Sequence, residues 1–135
     1  MSKMDLKKTF SLLLAAALLL CFSGCGYTSR YRAVGCVRTN TASHASIRFS
    51  ELEGTVVFKM KLKDAAESDI RYTVSLQEGS VKVYYDYSGE KIALFEMNGG
   101  NNLESAAGYV EKGPFTVIVE TDGKAVNGAL DFSVE

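Results

Sequence analysis

The chain contains no tryptophan, a single proline, a single histidine and three cysteines among its 135 residues. One imidazole cannot build a zinc site of several histidines and cysteines. Any Ser-His-Asp or Cys-His machinery would rest on His44 alone. That residue sits in the small polar stretch "TASHAS", and Cys36 lies eight residues before it in the same segment. A catalytic pair needs a preorganised shell, and the local pattern offers none. No nucleophile, base and orienting group come together, so the chain is not expected to be an enzyme. Charge is balanced, with 15 Lys and Arg against 16 Asp and Glu. No basic domain suggests nucleic acid as a partner. Helical periodicity with caps is also missing, and "LKDAAESDI" offers one helical turn at most.

What is present begins with an address. Lys3, Lys7 and Lys8, offset by Asp5, precede an uncharged apolar run from Leu12 to Phe22. A basic start followed by a short apolar run has signal-peptide architecture. The run is well short of the roughly 20 residues that span a bilayer, so a removed signal is expected over residues 1–24. The run ends in Phe22-Ser23-Gly24-Cys25. This stretch resembles the lipobox of bacterial lipoproteins: a bulky apolar residue, two small residues, then a cysteine. Small residues admit the chain to a peptidase site, and the thiol takes a diacylglyceryl group. Phe22 stands where leucine is usual. Cys21 does not fit the pattern, because Leu18, Leu19 and Leu20 before it are all bulky. The resemblance implies that Cys25 is the lipidated first residue of the mature protein. Two acyl chains hold a protein on a bilayer where one does so only marginally. The expected location is the extracytoplasmic face of the cell membrane. The competing reading is an ordinary secretory signal with a coincidental cysteine.

The remaining chain has 111 residues, with 12 basic and 15 acidic side chains. That length suits one domain. With Cys25 as a thioether, Cys36 has no partner for an intramolecular disulfide. Charge is uneven: Arg30, Arg32, Arg38 and Arg48 precede the first acid, Glu51. Residues 25–46 read as a tether with some ordered residues. Its arginines either face an anionic membrane surface or form a solvated linker.

From Thr55 onward the pattern changes to clean alternation. In "TVVFKMKLK", Val56, Phe58, Met60 and Leu62 fall on one face and Lys59, Lys61 and Lys63 on the other. Ile70, Tyr72, Val74 and Leu76 repeat the pattern, as do Val81, Val83 and Tyr85, then Phe115, Val117 and Val119, then Leu130, Phe132 and Val134. Period two marks half-buried strands. Gly, Asn, Asp and Ser clusters punctuate them, and Asp122-Gly123 is a strong hairpin signal. "HASIRFSEL" and "ESAAGYVE" offer a seventh and an eighth strand. The expected fold is all-β, an antiparallel β-sandwich of about 7–8 strands over residues 47–135. A chain from Ala45 to Glu135 is therefore expected to fold by itself.

Gly79, Asp86, Gly89, Lys112, Gly113, Phe115, Gly128 and Phe132 follow one another in an order that carries a second resemblance. From about Gly54 to the C-terminus the chain is similar to small bacterial lipoproteins, mostly Gram-positive, with an Ig-like or pre-peptidase C-terminal-like β-sandwich. That resemblance implies a fold and little about activity, because such folds host many roles. Pro114 departs from the pattern.

Candidate sites are few. The stretch "FEMNGGNNLESA" with Asp86 and Glu90 supplies oxygens, but without the spacing of a calcium loop. It reads as a Gly-Asn turn, and no metal or cofactor is expected. Tyr84, Tyr85 and Tyr87 cannot all share a face, which weakens a sugar-stacking platform. Lys59, Lys61 and Lys63 read as a solvated sheet surface that discourages aggregation, or as a site for an anionic polymer. Alternation leaves Val57, Tyr84 and Ile118 facing outward on three strands. Either Ala33, Val34, Cys36 and Val37 pack over them, or they form a surface for a partner. The reading is thus a membrane-anchored lipoprotein whose small sandwich binds an envelope protein or a glycan, with a sensor accessory role as a further alternative.

Overall fold

Side chains at every second position of a strand enter one interior, and this alternation governs the whole chain. The structure, a computed structural model, describes residues 27–134. The expected signal segment and Cys25 lie outside the described residues. Six strands are present: β1 (Arg30–Val34), β2 (Val37–Asn40), β3 (His44–Glu78), β4 (Ser80–Asp86), β5 (Ile92–Asn98) and β6 (Asn101–Ser133). Every pairing is antiparallel. Val56, Phe58, Met60 and Leu62 are buried, and Lys59, Lys61 and Lys63 are exposed. The inward residues read from the other four alternating segments are buried too.

The two longest strands, β3 and β6, bend and serve both layers of a sandwich. The first layer pairs β2 with 45–48, 44–53 with 124–133, 71–78 with 126–133, and 71–76 with 101–106. The second layer pairs 55–62 with 113–120, then 116–121 with β4, and β4 with β5. The layers meet through rings. Phe58 of the second layer lies 6.1 Å from Phe132 of the first, and Phe95 stacks on Tyr72 at 4.5 Å between centroids. The architecture is the expected all-β antiparallel sandwich. Its strand count differs, because segments read as separate strands run on into one another. Both "HASIRFSEL" and "ESAAGYVE" are strand, at the start of β3 and within β6.

The Asp122-Gly123 signal marks a bend within β6 and not a hairpin. Thr55 faces Glu120 and Glu53 faces Lys124, so the pairing continues past the bend with a shift in register. Gly54 and Gly123 take φ of 125° and 72°, a region that side chains disfavour. Thr121 locks the corner by accepting the Gly54 N–H at 2.8 Å. The glycine bends the chain, and the register on either side decides that it does not reverse.

The span read as a tether is ordered from its first described residues. β1 pairs with 51–55 and β2 with 45–48, so residues 30–40 run along one edge of β3. Two of their side chains, and the backbone just after them, then reach the next segment. Arg38 donates to the Val57 carbonyl, Asn40 Nδ2 donates to the Lys59 carbonyl at 2.9 Å, and the Lys61 N–H donates to the Ala42 carbonyl at 2.8 Å. The Arg38 guanidinium also covers the Phe58 ring at 4.7 Å. An open strand edge is a liability, and this segment closes it.

Candidate functional site

Val57, Ile118 and Tyr84 occupy one row of the second layer, since Val57 pairs with Ile118 and Ile118 with Tyr84. The row is not an exposed apolar surface. Val57 and Ile118 are 5% and 1% exposed, although neither belongs to the central core cluster. Of the residues expected to cover them, Val34 and Val37 are 57% and 66% exposed, Cys36 is exposed as well, and Ala33 packs against the central core cluster. The chain just ahead of β1 lies there instead. Ser29 Oγ accepts the Val57 N–H at 2.9 Å, and the Tyr27 hydroxyl donates to Asp86 at 2.6 Å. Residues 27–29 therefore cross the outer face from β3 to β4 as a strap. Burial and the Asp86 carboxylate push the Tyr27 phenol up to about 12. A charged phenolate beside a carboxylate is disfavoured. Tyr84 carries cations in place of apolar cover, with the ammonium groups of Lys91 and Lys82 at 4.2 and 5.7 Å from its ring. Lys91 in turn pairs with Glu120 at 2.8 Å.

The remaining tyrosines face the other way, as alternation requires. Tyr85 is buried and lies nearly parallel to Tyr87, whose ring meets the edge of Tyr109. Tyr109 reaches Glu67 and Glu111 at 3.0 and 3.2 Å. Hydrogen bonding to Glu67 is the main reason that its phenol is raised to about 12. These rings fill one end of the sandwich and present no flat triple platform.

The outer face of the first layer is polar and concave. Thr39, Ser46, Asp131, Thr73 and Glu104 form one row across five strand segments, and Val37, Arg48, Ala129, Ser75 and Asn102 form the next. A groove of about 500 Å³ lies over their middle. Hydroxyls, one guanidinium and one carboxylate share the lining with the apolar Val37, Ile47, Ala129 and Leu130, and no aromatic ring lines it. At its rim His44 Nε2 approaches both Asp131 carboxylate oxygens, at 3.0 and 2.9 Å. Among the described residues no hydroxyl or thiol hydrogen-bonds to the His44 ring, so the arrangement lacks a nucleophile. Sequence reasoning missed this pair, whose members lie 87 residues apart, because nothing local to either announces the other.

The acid- and amide-rich stretch around Asn98 is a turn. Asn101 Nδ2 donates to the Asn98 carbonyl at 3.0 Å, and Asp86 accepts the Gly89 N–H in the neighbouring loop. Among the described residues, no three His, Cys, Asp or Glu side chains are grouped to hold a metal ion. Among the described residues no helix is long and apolar enough to cross a membrane.

No family model and no curated protein matches the chain. Solved structures align with it only at low similarity. A carbohydrate-binding module of family 29 aligns with a TM-score of 0.42 and 16% identity, covering 80% of this chain and 75% of that one. The pre-peptidase C-terminal domain of a collagenase from Bacillus anthracis gives 0.43 and 12%, covering 80% and 88%. A cupin-2 domain protein from Shewanella frigidimarina gives 0.36 and 8%, covering 77% and 83%. Scores this low assign no function.

Proposed function

We propose that the protein is a lipoprotein held on the extracytoplasmic face of the cell membrane by a diacylglyceryl group on Cys25, with its sandwich serving as a small binding domain. One observation carries this reading. Phe22-Ser23-Gly24-Cys25 ends only two residues before Tyr27, where the strap on the second layer begins. The thiol therefore sits at the junction between a removable address and a folded body. Replacing it tests the anchor: Cys25→Ala abolishes incorporation of a fatty-acid analogue and releases the protein from the membrane fraction. Label that persists on Cys25→Ala overturns the anchor.

The hydroxyl, guanidinium and carboxylate groups that line the groove of the first layer beside its apolar residues favour a glycan as the bound partner. Ser46, Thr73, Ser75, Arg48 and Asp131 offer donors and acceptors at the spacing of two adjacent strand rows, and sugars are recognised through many such hydrogen bonds. Envelope glycan pulled down by the protein, and lost with Asp131→Ala and Arg48→Ala, supports this choice. Retention of an envelope protein alone would favour protein contact.

A further inference from the structure

Lys59, Lys61 and Lys63 lie at successive outward positions of one segment of β3 and are exposed. Outward neighbours on a strand are about 6.6 Å apart, so the three form a straight column of cations. None of them has an ion-pair or hydrogen-bond partner for its ammonium among the described residues. Across the sheet Lys59 and Lys61 face Thr116 and Pro114, which carry no charge. Arg38 flanks the column at the sheet edge and has a carbonyl, a hydroxyl and a ring as partners but no carboxylate. One acid shares the row of Lys59, namely Asp86, and its oxygens are taken by the Tyr27 hydroxyl and the Gly89 N–H.

The entering chain lies on this same face. The Ser29 and Tyr27 contacts run the strap across it, and Lys59, Arg38, Tyr27 and Ser29 border one shallow depression. In the sequence Cys25 stands two residues before Tyr27, a tether of at most about 7 Å at full extension. A domain tethered this closely presents to the bilayer the face from which its tether leaves.

We infer that the Lys59–Lys61–Lys63 face docks on anionic lipid headgroups, holding the second layer against the bilayer and turning the groove of the first layer away from it. The inference rests on the proposed anchor at Cys25 for its biological setting. Charge complementarity selects the partner: a column of unpaired cations beside a membrane entry point suits a negatively charged leaflet. Acyl chains and a basic patch together make a stronger anchor than either alone. Each cation near an anionic surface strengthens binding about fivefold.

The test uses the chain from residue 25 with Cys25→Ser, which keeps every described strand and carries no acyl group. It is titrated with vesicles containing phosphatidylglycerol or phosphatidylcholine alone, and binding is read by co-sedimentation. Binding to the anionic vesicles that weakens with salt, and that falls at least about tenfold in Lys59→Glu with Lys61→Glu, supports the docking face. An equal charge change on the opposite layer, Arg48→Glu with Lys124→Glu, should reduce binding far less. Equal loss in both double variants, no preference for phosphatidylglycerol, or binding to soluble polyphosphate but not to vesicles overturns it. Thermal melts check that the variants fold, and Lys61→Gln with Lys63→Gln repeats the test with milder changes. Because no acyl group is present, the result is independent of the anchor. Failed vesicle binding with Cys25 still labelled removes the docking face and leaves the anchor standing.

Discussion

The phenol of Tyr27 reaches the carboxylate of Asp86 at 2.6 Å, joining the first described residue to a strand 59 residues away. This contact fastens the strap over Val57 and Ile118, and it has a defined pH dependence. The folded phenol is raised to about 12 from an ordinary value of 10. The folded state thus holds this proton more tightly than the unfolded state. Its contribution is complete below about pH 10 and is lost as pH rises from about 10 towards about 12. Tyr27→Phe should cost about 1 kcal/mol at pH 8. The difference between wild type and Tyr27→Phe should shrink when denaturation is repeated at pH 11. A difference that stays constant would show that the phenol is not coupled to folding.

Arg38 should behave unlike its neighbours in sequence. It donates to the Val57 carbonyl and covers Phe58, whereas Arg32 is exposed on β1. A hydrogen bond involving a charged group is worth about 1.5–3 kcal/mol, so Arg38→Ala should lower stability by that amount. Arg32→Ala should stay within about 0.5 kcal/mol. Urea denaturation of the two variants measures the contrast, and equal effects would contradict the edge-closing role.

Removing residues 25–44 tests the segment as a whole. A chain starting at Ala45 keeps the central core but loses β1, β2 and the caps on Val57, Lys59 and Lys61. It should be at least about 3 kcal/mol less stable than the chain from residue 25, with a broadened transition. Unchanged cooperativity would show that 47–135 is self-sufficient, as its alternation alone suggests.

These contrasts show where the sequence was informative. Phe58, Val74, Val83, Val117 and Phe132 were placed inward by period two, and all are buried, because half-buried strands write their orientation into every second residue. Val57 and Ile118 are apolar at positions that alternation sets outward, and both are buried. Their burial was not legible, since it depends on Tyr27 and Ser29 crossing from elsewhere in the chain. Arg30, Arg32 and Arg38 read alike as basic tether, although only the register of β2 on β3 carries Arg38 to Phe58. The corner at Gly54 and Gly123 shows the same limit: glycine announces a turn, and the pairing on both sides determines whether the chain reverses or bends.

The most direct measurement is the intact mass of the protein extracted from its native membrane, with fragmentation of its N-terminus. Anchoring through Phe22-Ser23-Gly24-Cys25 gives a chain that begins at Cys25 and carries the mass of a diacylglyceryl group on that residue. A chain that begins elsewhere, or begins at Cys25 with an unmodified thiol, would contradict it.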